Sequence, residues 1–231
     1  MIVPNVRGSF GEREVDWLLK LLSAGDAARK EEWEDRTAER ILQRDRVEVL
    51  PSRLVLYVLL RRTLLETGVE SRKIADYLTA LVFEFGMGDR ARRVDEADRA
   101  EYDYLVEILE DLTAAEGRRA FLLKAHLGNF ALWLSGLFPD HITRRVRRKG
   151  GPGMDYYEEM GQAGYRMAAD APQARRESLD RLFRDAADRF GPLRVSLNRL
   201  SDRLFFPTAG SPVERLLRQA RDGFTDAGGT H

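Results

Sequence analysis

The chain contains no cysteine, which excludes a disulfide framework, a thiolate zinc site and a cysteine nucleophile in one step. Histidine is nearly as scarce. His126, His141 and His231 are the whole supply, so metal chemistry would have to lean on carboxylates. The Glu-x-x-His pair of carboxylate-bridged di-metal bundles is missing, as is His-Glu-x-x-His. No nucleotide-binding phosphate loop is present either, because the Gly-Lys-Ser/Thr ending does not occur. The expectation from these absences is no metal, no cofactor and no ready catalytic set.

An excess of either charge is also lacking. The 38 basic and 38 acidic residues cancel, so no global field draws the molecule to nucleic acid or to an anionic membrane. Lysine is confined to Lys20, Lys30, Lys73, Lys124 and Lys149. The near-monopoly of arginine, beside abundant alanine and glycine, fits a GC-rich coding sequence better than selection for guanidinium chemistry. Long hydrophobic runs are absent as well: Leu54 to Leu65 is short, and Phe121 to Phe138 is interrupted by Lys124, His126 and Asn129. Neither reads as a membrane span, which wants roughly 20 apolar residues. The opening residues, MIVPNVRGSF, lack the basic then apolar order of a secretory signal. A cytoplasmic location is the default expectation.

Alternation of apolar and polar residues is missing too, and so is any internal repeat; helical periodicity fills nearly the whole chain. The fold class is therefore all-α, a single bundle-like domain of about eight to ten helices with a largely buried central helix near 119–138. Ser9 and Glu12 have capping-box spacing, and a first helix to Gly25 with a second from Ala27 to Gln43 forms an N-terminal pair within 9–47. The core, 48–206, holds helices at Arg53 to Glu66, Arg72 to Phe85 behind Ser71, Asp98 to Ala115, the central one stopped by Pro139, Asp155 to Asp170, Gln173 to Phe190, and one opened by Pro192. Asp140 to Gly153 is expected to be a loop. The remainder, 207–231, reads as a short helix at Val213 to Phe224 and a tail.

The central helix is apolar on nearly every side, and burying its few polar groups costs several kcal/mol unless they are paired. His126 and Asn129 are three residues apart and share a face with Leu122 and Trp133, while Lys124 points roughly 160° away. A general base steadied by an amide would look like this, although structural hydrogen bonding is the commoner fate of such groups. Glu84 lies in an apolar stretch; if it is buried it needs a cation, and Lys124 and His126 on the other apolar helix are the candidates. Tyr157, Gly161, Gly164 and Ala168 line one face of a later helix, where two glycines suggest close approach of another helix, or room for a flat ligand beside Tyr157. Tyr156 and Tyr165 could supply hydroxyls.

A second cluster is Arg144, Arg145, Arg147, Arg148 and Lys149, running into Gly150, Gly151 and Gly153. Cations and flexible amides could hold an anion. The competing partner lies within the chain, since Asp95 to Glu116 carries nine acids against one base, Arg99, and internal neutralisation is the favoured expectation. Three functions remain. The leading one is a protein-binding or self-associating module working through an amphipathic surface such as the N-terminal pair. The second is a small-molecule or enzymatic pocket lined by Glu84, Lys124, His126, Asn129, Trp133 and Tyr157. The third, ranked last, is anion or nucleic-acid binding through Arg144 to Lys149.

Overall fold

The computed structural model describes residues 1–10, 53–86, 88–95 and 98–204. The N-terminal helical pair, the helix at Val213 to Phe224 and the tail lie outside the described residues. Within them the protein is all-α, with nine α-helices and no strand. In chain order they are α1 (Arg53–Glu66), α2 (Arg72–Phe85), α3 (Leu105–Ala114), α4 (Gly117–Leu137), α5 (Pro139–Lys149), α6 (Met154–Asp170), α7 (Pro172–Arg176), α8 (Asp180–Asp188) and α9 (Phe190–Leu204).

Local signals explain most of the boundaries. Gly68, at φ 76°, turns the chain out of α1 where a side chain would be strained. The Ser71 hydroxyl then accepts from the Ile74 amide at 3.3 Å and starts α2. Glu107 accepts from the Tyr104 and Asp103 amides at 3.0 and 2.7 Å, so α3 begins at Leu105 rather than Asp98. Asp98 instead holds the Ala100 amide in a turn. The anticipated single helix from Gln173 to Phe190 is two, α7 and α8, because Ser178 adopts φ 56° and the Leu179 amide reaches back to the Ala174 carbonyl. Pro192 lies one turn inside α9, where a missing amide costs nothing.

The largest correction concerns Asp140 to Gly153. Most of it is helix: Pro139 does stop α4, but it is also the first residue of α5, and Gly150 closes that helix at φ 60°. Proline just inside the start and glycine just past the end is the expected asymmetry of a helix.

The buried helix α4 sits at the centre, touching α2, α3, α5, α6 and α9. Its tightest neighbour is α6, and the glycines say why. A Cβ at Gly164 would lie 2.7 Å from the Gly128 nitrogen and 3.0 Å from the Lys124 carbonyl oxygen. A Cβ at Gly128 would strike the Tyr165 ring at 2.6 Å, and one at Gly161 the Phe190 ring at 2.3 Å. The close-approach reading of these glycines is what the structure contains. Helix α9 is tied to α1 by a Thr67–Ser196 hydroxyl contact of 2.6 Å, and to α4 by the Ser201 hydroxyl donating to the Leu137 carbonyl at 3.0 Å. The amino-terminal residues are also in the core: Ile2 and Val6 are buried, and the Arg7 amide donates to Asp76 at 2.8 Å.

Gly164→Ala is expected to destabilise the protein by about 1–3 kcal/mol, because the obstruction is backbone and cannot swing aside. That holds despite alanine's helix preference of about 1 kcal/mol. Gly191→Ala, in α9 with open space around the position, is the control expected to be neutral or stabilising; urea unfolding of both variants provides the comparison.

Candidate functional site

Two side chains of α4 organise its polar face. The Asn129 carbonyl oxygen accepts from the Tyr77 hydroxyl of α2 at 2.5 Å and from the Tyr165 hydroxyl of α6 at 2.9 Å. Burial drives both phenols well above their ordinary pKa, so they remain donors. With its oxygen claimed twice, the amide can offer only its Nδ2 donor elsewhere.

One turn away, His126 is 3% exposed. Its ring is framed by Phe85 at 5.6 Å, Phe130 at 5.8 Å and nearly parallel, and Tyr102 at 6.0 Å. Its Nε2 is buried without a hydrogen-bond partner. Burial pushes the imidazole pKa down to about 3, helped by the Arg90 guanidinium and then by the amino terminus. The ring is therefore neutral at physiological pH.

His126 and Asn129 both line one small cavity, together with Met1, Ile2, Phe85, Arg90, Val94, Leu122 and Ala125. Its free volume is about 10 Å³, the room of a single water, whereas pockets for organic ligands run to about 300–1,000 Å³. A neutral imidazole has the right protonation for a general base, but here no organic substrate could reach it.

The other proposed pocket residues do not assemble around it. The Glu84 side chain is 40% exposed and lies 3.9 Å from the Arg90 guanidinium. It is neither buried nor paired with Lys124 or His126. Lys124 is half-buried on the α6 side of α4, beside Gly164. Trp133 shares the His126 face as anticipated, but packs against Phe130, Phe85 and Phe138 outside the cavity. Tyr157 is buried in α6, its ring 5.9 Å from Tyr156. Burial raises its pKa while Arg145 opposes the rise. Sequence reasoning missed Arg90 and residues 1–2 as neighbours of His126, and Tyr77 as the partner of Asn129. Tyr77 alone carried a signal, as a polar tip on an apolar face of α2.

The basic cluster lies at the surface on α5, where only Pro139 and Ile142 are buried. None of Arg144, Arg145, Arg147, Arg148 and Lys149 pairs with a carboxylate among the described residues. Arg144 donates to the Asp140 carbonyl at 3.2 Å, and the Arg145 guanidinium lies 4.7 Å over the Tyr104 ring. The acidic run finds other partners. Arg92 takes Asp103 at 2.9 Å, Arg93 takes Glu101, and Arg119 takes Asp98 and Asp111, each at 2.9 Å. Internal neutralisation of the basic cluster, the favoured expectation, is not what the described residues form. The exposed large hydrophobic side chains of the described surface are Val146 on α5 itself, Tyr104 against Arg145, and Val106.

Among the described residues no three histidine or carboxylate side chains come together to hold a metal ion. No single described helix is long and apolar enough to cross a membrane; α4 and α5 meet that length and composition only taken together, as a pair bent by 90°. Comparison with protein-family models, with curated proteins and with solved structures finds no match to this chain.

The depressed His126 pKa has a signed consequence. The imidazole titrates near 6.5 in an unfolded chain and about 3 here, so between those values the unfolded state binds more protons. Stability is full above pH 6.5 and falls as pH drops, with a slope of up to about 1.4 kcal/mol per pH unit. Urea unfolding at pH 6.5 and 5 checks this: His126→Leu should flatten the dependence, leaving the part due to other groups such as His141, whose pKa burial also lowers. An unchanged slope in the variant would assign the effect to other groups.

Proposed function

We propose that this protein is a binding module rather than a catalyst, and that its working surface is α5, which docks a nucleic acid. The observation that carries the reading is the set of five α5 cations without a carboxylate partner among the described residues. Overall neutrality does not oppose it, because the field that matters over a Debye length of about 8 Å is local.

Helix geometry favours nucleic acid over other anionic partners. At about 100° per residue, Arg144, Arg145, Arg147, Arg148 and Lys149 fan across roughly 200° of the helix circumference. A flat anionic surface meets one side of a helix, as does an acidic peptide laid along it. Phosphates on the two walls of a groove can meet the whole fan. Tyr104, held beside Arg145 and 46% exposed, adds an aromatic face next to the cations. The cluster has a structural use too, since Arg147, Arg148 and Lys149 in the last turn complement the helix dipole. That accounts for three charges at one end but not for the spread of five around the helix.

The earlier leading idea, a protein partner or second copy bound through the N-terminal pair, falls on residues outside those described and gains no support from α5. A small-molecule pocket has no room at His126. The readings separate by fluorescence anisotropy with labelled duplex and single-stranded oligonucleotides from 50 to 200 mM salt. Four phosphate contacts imply a slope of log K on log[salt] near about −3.6 for duplex DNA. Replacing Arg144, Arg147 and Arg148 together by Gln should flatten that slope by about 3 and weaken binding at every sequence. No retention at 50 mM salt would end the proposal, and tighter binding of poly-glutamate than of either oligonucleotide would reassign the partner.

A further inference from the structure

We propose that the cavity beneath the amino-terminal segment is a binding site for one small inorganic anion of halide size, held between His126, Asn129 and Arg90. The reasoning starts from what its polar lining can offer. Asn129 has its oxygen engaged by two phenols, so the amide is oriented with Nδ2 as its free end. The Nε atom of Arg90 is buried without a hydrogen-bond partner, 3.9 Å from Glu84, while the tips of the same guanidinium donate to the Arg93 and Val94 carbonyls. His126 Nε2 is buried and unpartnered as well, and a neutral imidazole can carry its proton on that nitrogen.

The polar side chains facing the void are thus two nitrogen donors and an imidazole that can be a third, with no carboxylate among the lining residues. An occupant that only accepts hydrogen bonds matches this set, and the Arg90 guanidinium, shared with the part-exposed Glu84 at 3.9 Å, supplies the positive end. A water needs acceptors for its own protons, and the only side chain here that could supply one is the imidazole in its other tautomer. Size narrows the class. A void of about 10 Å³ excludes phosphate, sulfate and carboxylates, and the remaining side chains of the wall, including Ile2, Phe85, Val94, Leu122 and Ala125, are apolar, so the side-chain hydrogen-bond partners of an occupant are confined to His126, Asn129 and Arg90. This site is independent of α5: it takes one buried monovalent ion, whereas α5 presents surface cations to a polymer.

The test uses the full chain in sodium bromide or chloride against sodium gluconate at matched ionic strength, pH 7. Gluconate is too large to enter, so the unmodified protein should melt about 3 °C higher in the halides if they occupy the site near-fully. That difference should vanish in Arg90→Met and in His126→Leu. Diffraction from bromide-soaked crystals of the unmodified protein should show an anomalous peak in the cavity, within about 3.5 Å of His126 Nε2, and this reading stands even if the variants do not fold. Equal melting in both salts, a halide effect that survives both substitutions, or a cavity without an anomalous peak would each overturn the assignment and leave a water as the occupant.

Discussion

The contact on which the remaining structure depends is the one between the backbones of α4 and α6. With no Cβ at Gly164, the α6 chain lies against the Gly128 nitrogen and the Lys124 carbonyl, and with none at Gly128 there is room for the ring of Tyr165. Tyr165 follows Gly164 directly, so the residue that permits the approach also sets where the phenol goes. Its hydroxyl arrives at Asn129, and from the other side α2 delivers Tyr77 to the same oxygen. Three helices are joined at one amide because two of them can come within backbone distance. Such a junction is sensitive to sub-ångström change, since packed interiors do not absorb an added methyl.

One turn from that junction, His126 takes its character from a different set of neighbours. The imidazole is not placed opposite a carboxylate that would hold it charged. It sits among Phe85, Phe130 and Tyr102, with a guanidinium nearby. Desolvation and a like charge both favour the neutral ring. The same features remove it from ordinary acid–base work, because a group in a void of about 10 Å³ has nothing but a water or an ion to act on.

Much of this was legible in the sequence, and what was missed has a common cause. Apolar periodicity located α1, α2, α4, α6 and α9 because each buries a broad face, and the glycine spacing at Gly161 and Gly164 announced the close approach. Helix α5 was hidden because it buries so little. Pro139 and Ile142 are its only buried residues, too few for a periodic stripe, although its proline start and glycine stop were in plain view. Glu84 misled for the opposite reason. Its apolar neighbours suggested burial, but a residue's helical neighbours point to other faces, and the carboxylate leaves the core toward Arg90. The His126 and Asn129 pairing on one face follows from their spacing alone; the Arg90 contribution does not, since it arrives on a separate turn, and nothing local encodes that meeting.

How a chain with no net charge comes to show a basic helix with no carboxylate partner among the described residues is a matter of which arginines lie close to the acids in sequence. Arg92 and Arg93 lie 11 and 8 residues from Asp103 and Glu101, and Arg119 lies 8 from Asp111. Closing such short loops costs little entropy. The α5 cations follow the 21 residues of α4, a rod of about 31 Å. When the chain turns at Phe138 and α5 comes back beside the start of α3, the acids next to Tyr104 are engaged. What Arg145 meets is the tyrosine ring itself. A cation over an aromatic face contributes about 0.5–1 kcal/mol at an exposed site without neutralising the charge, so this contact anchors α5 to the body and leaves the Arg145 charge uncompensated by any described carboxylate. Zero net charge and a locally positive helix are therefore compatible, because acids and bases are paired unevenly among the described residues.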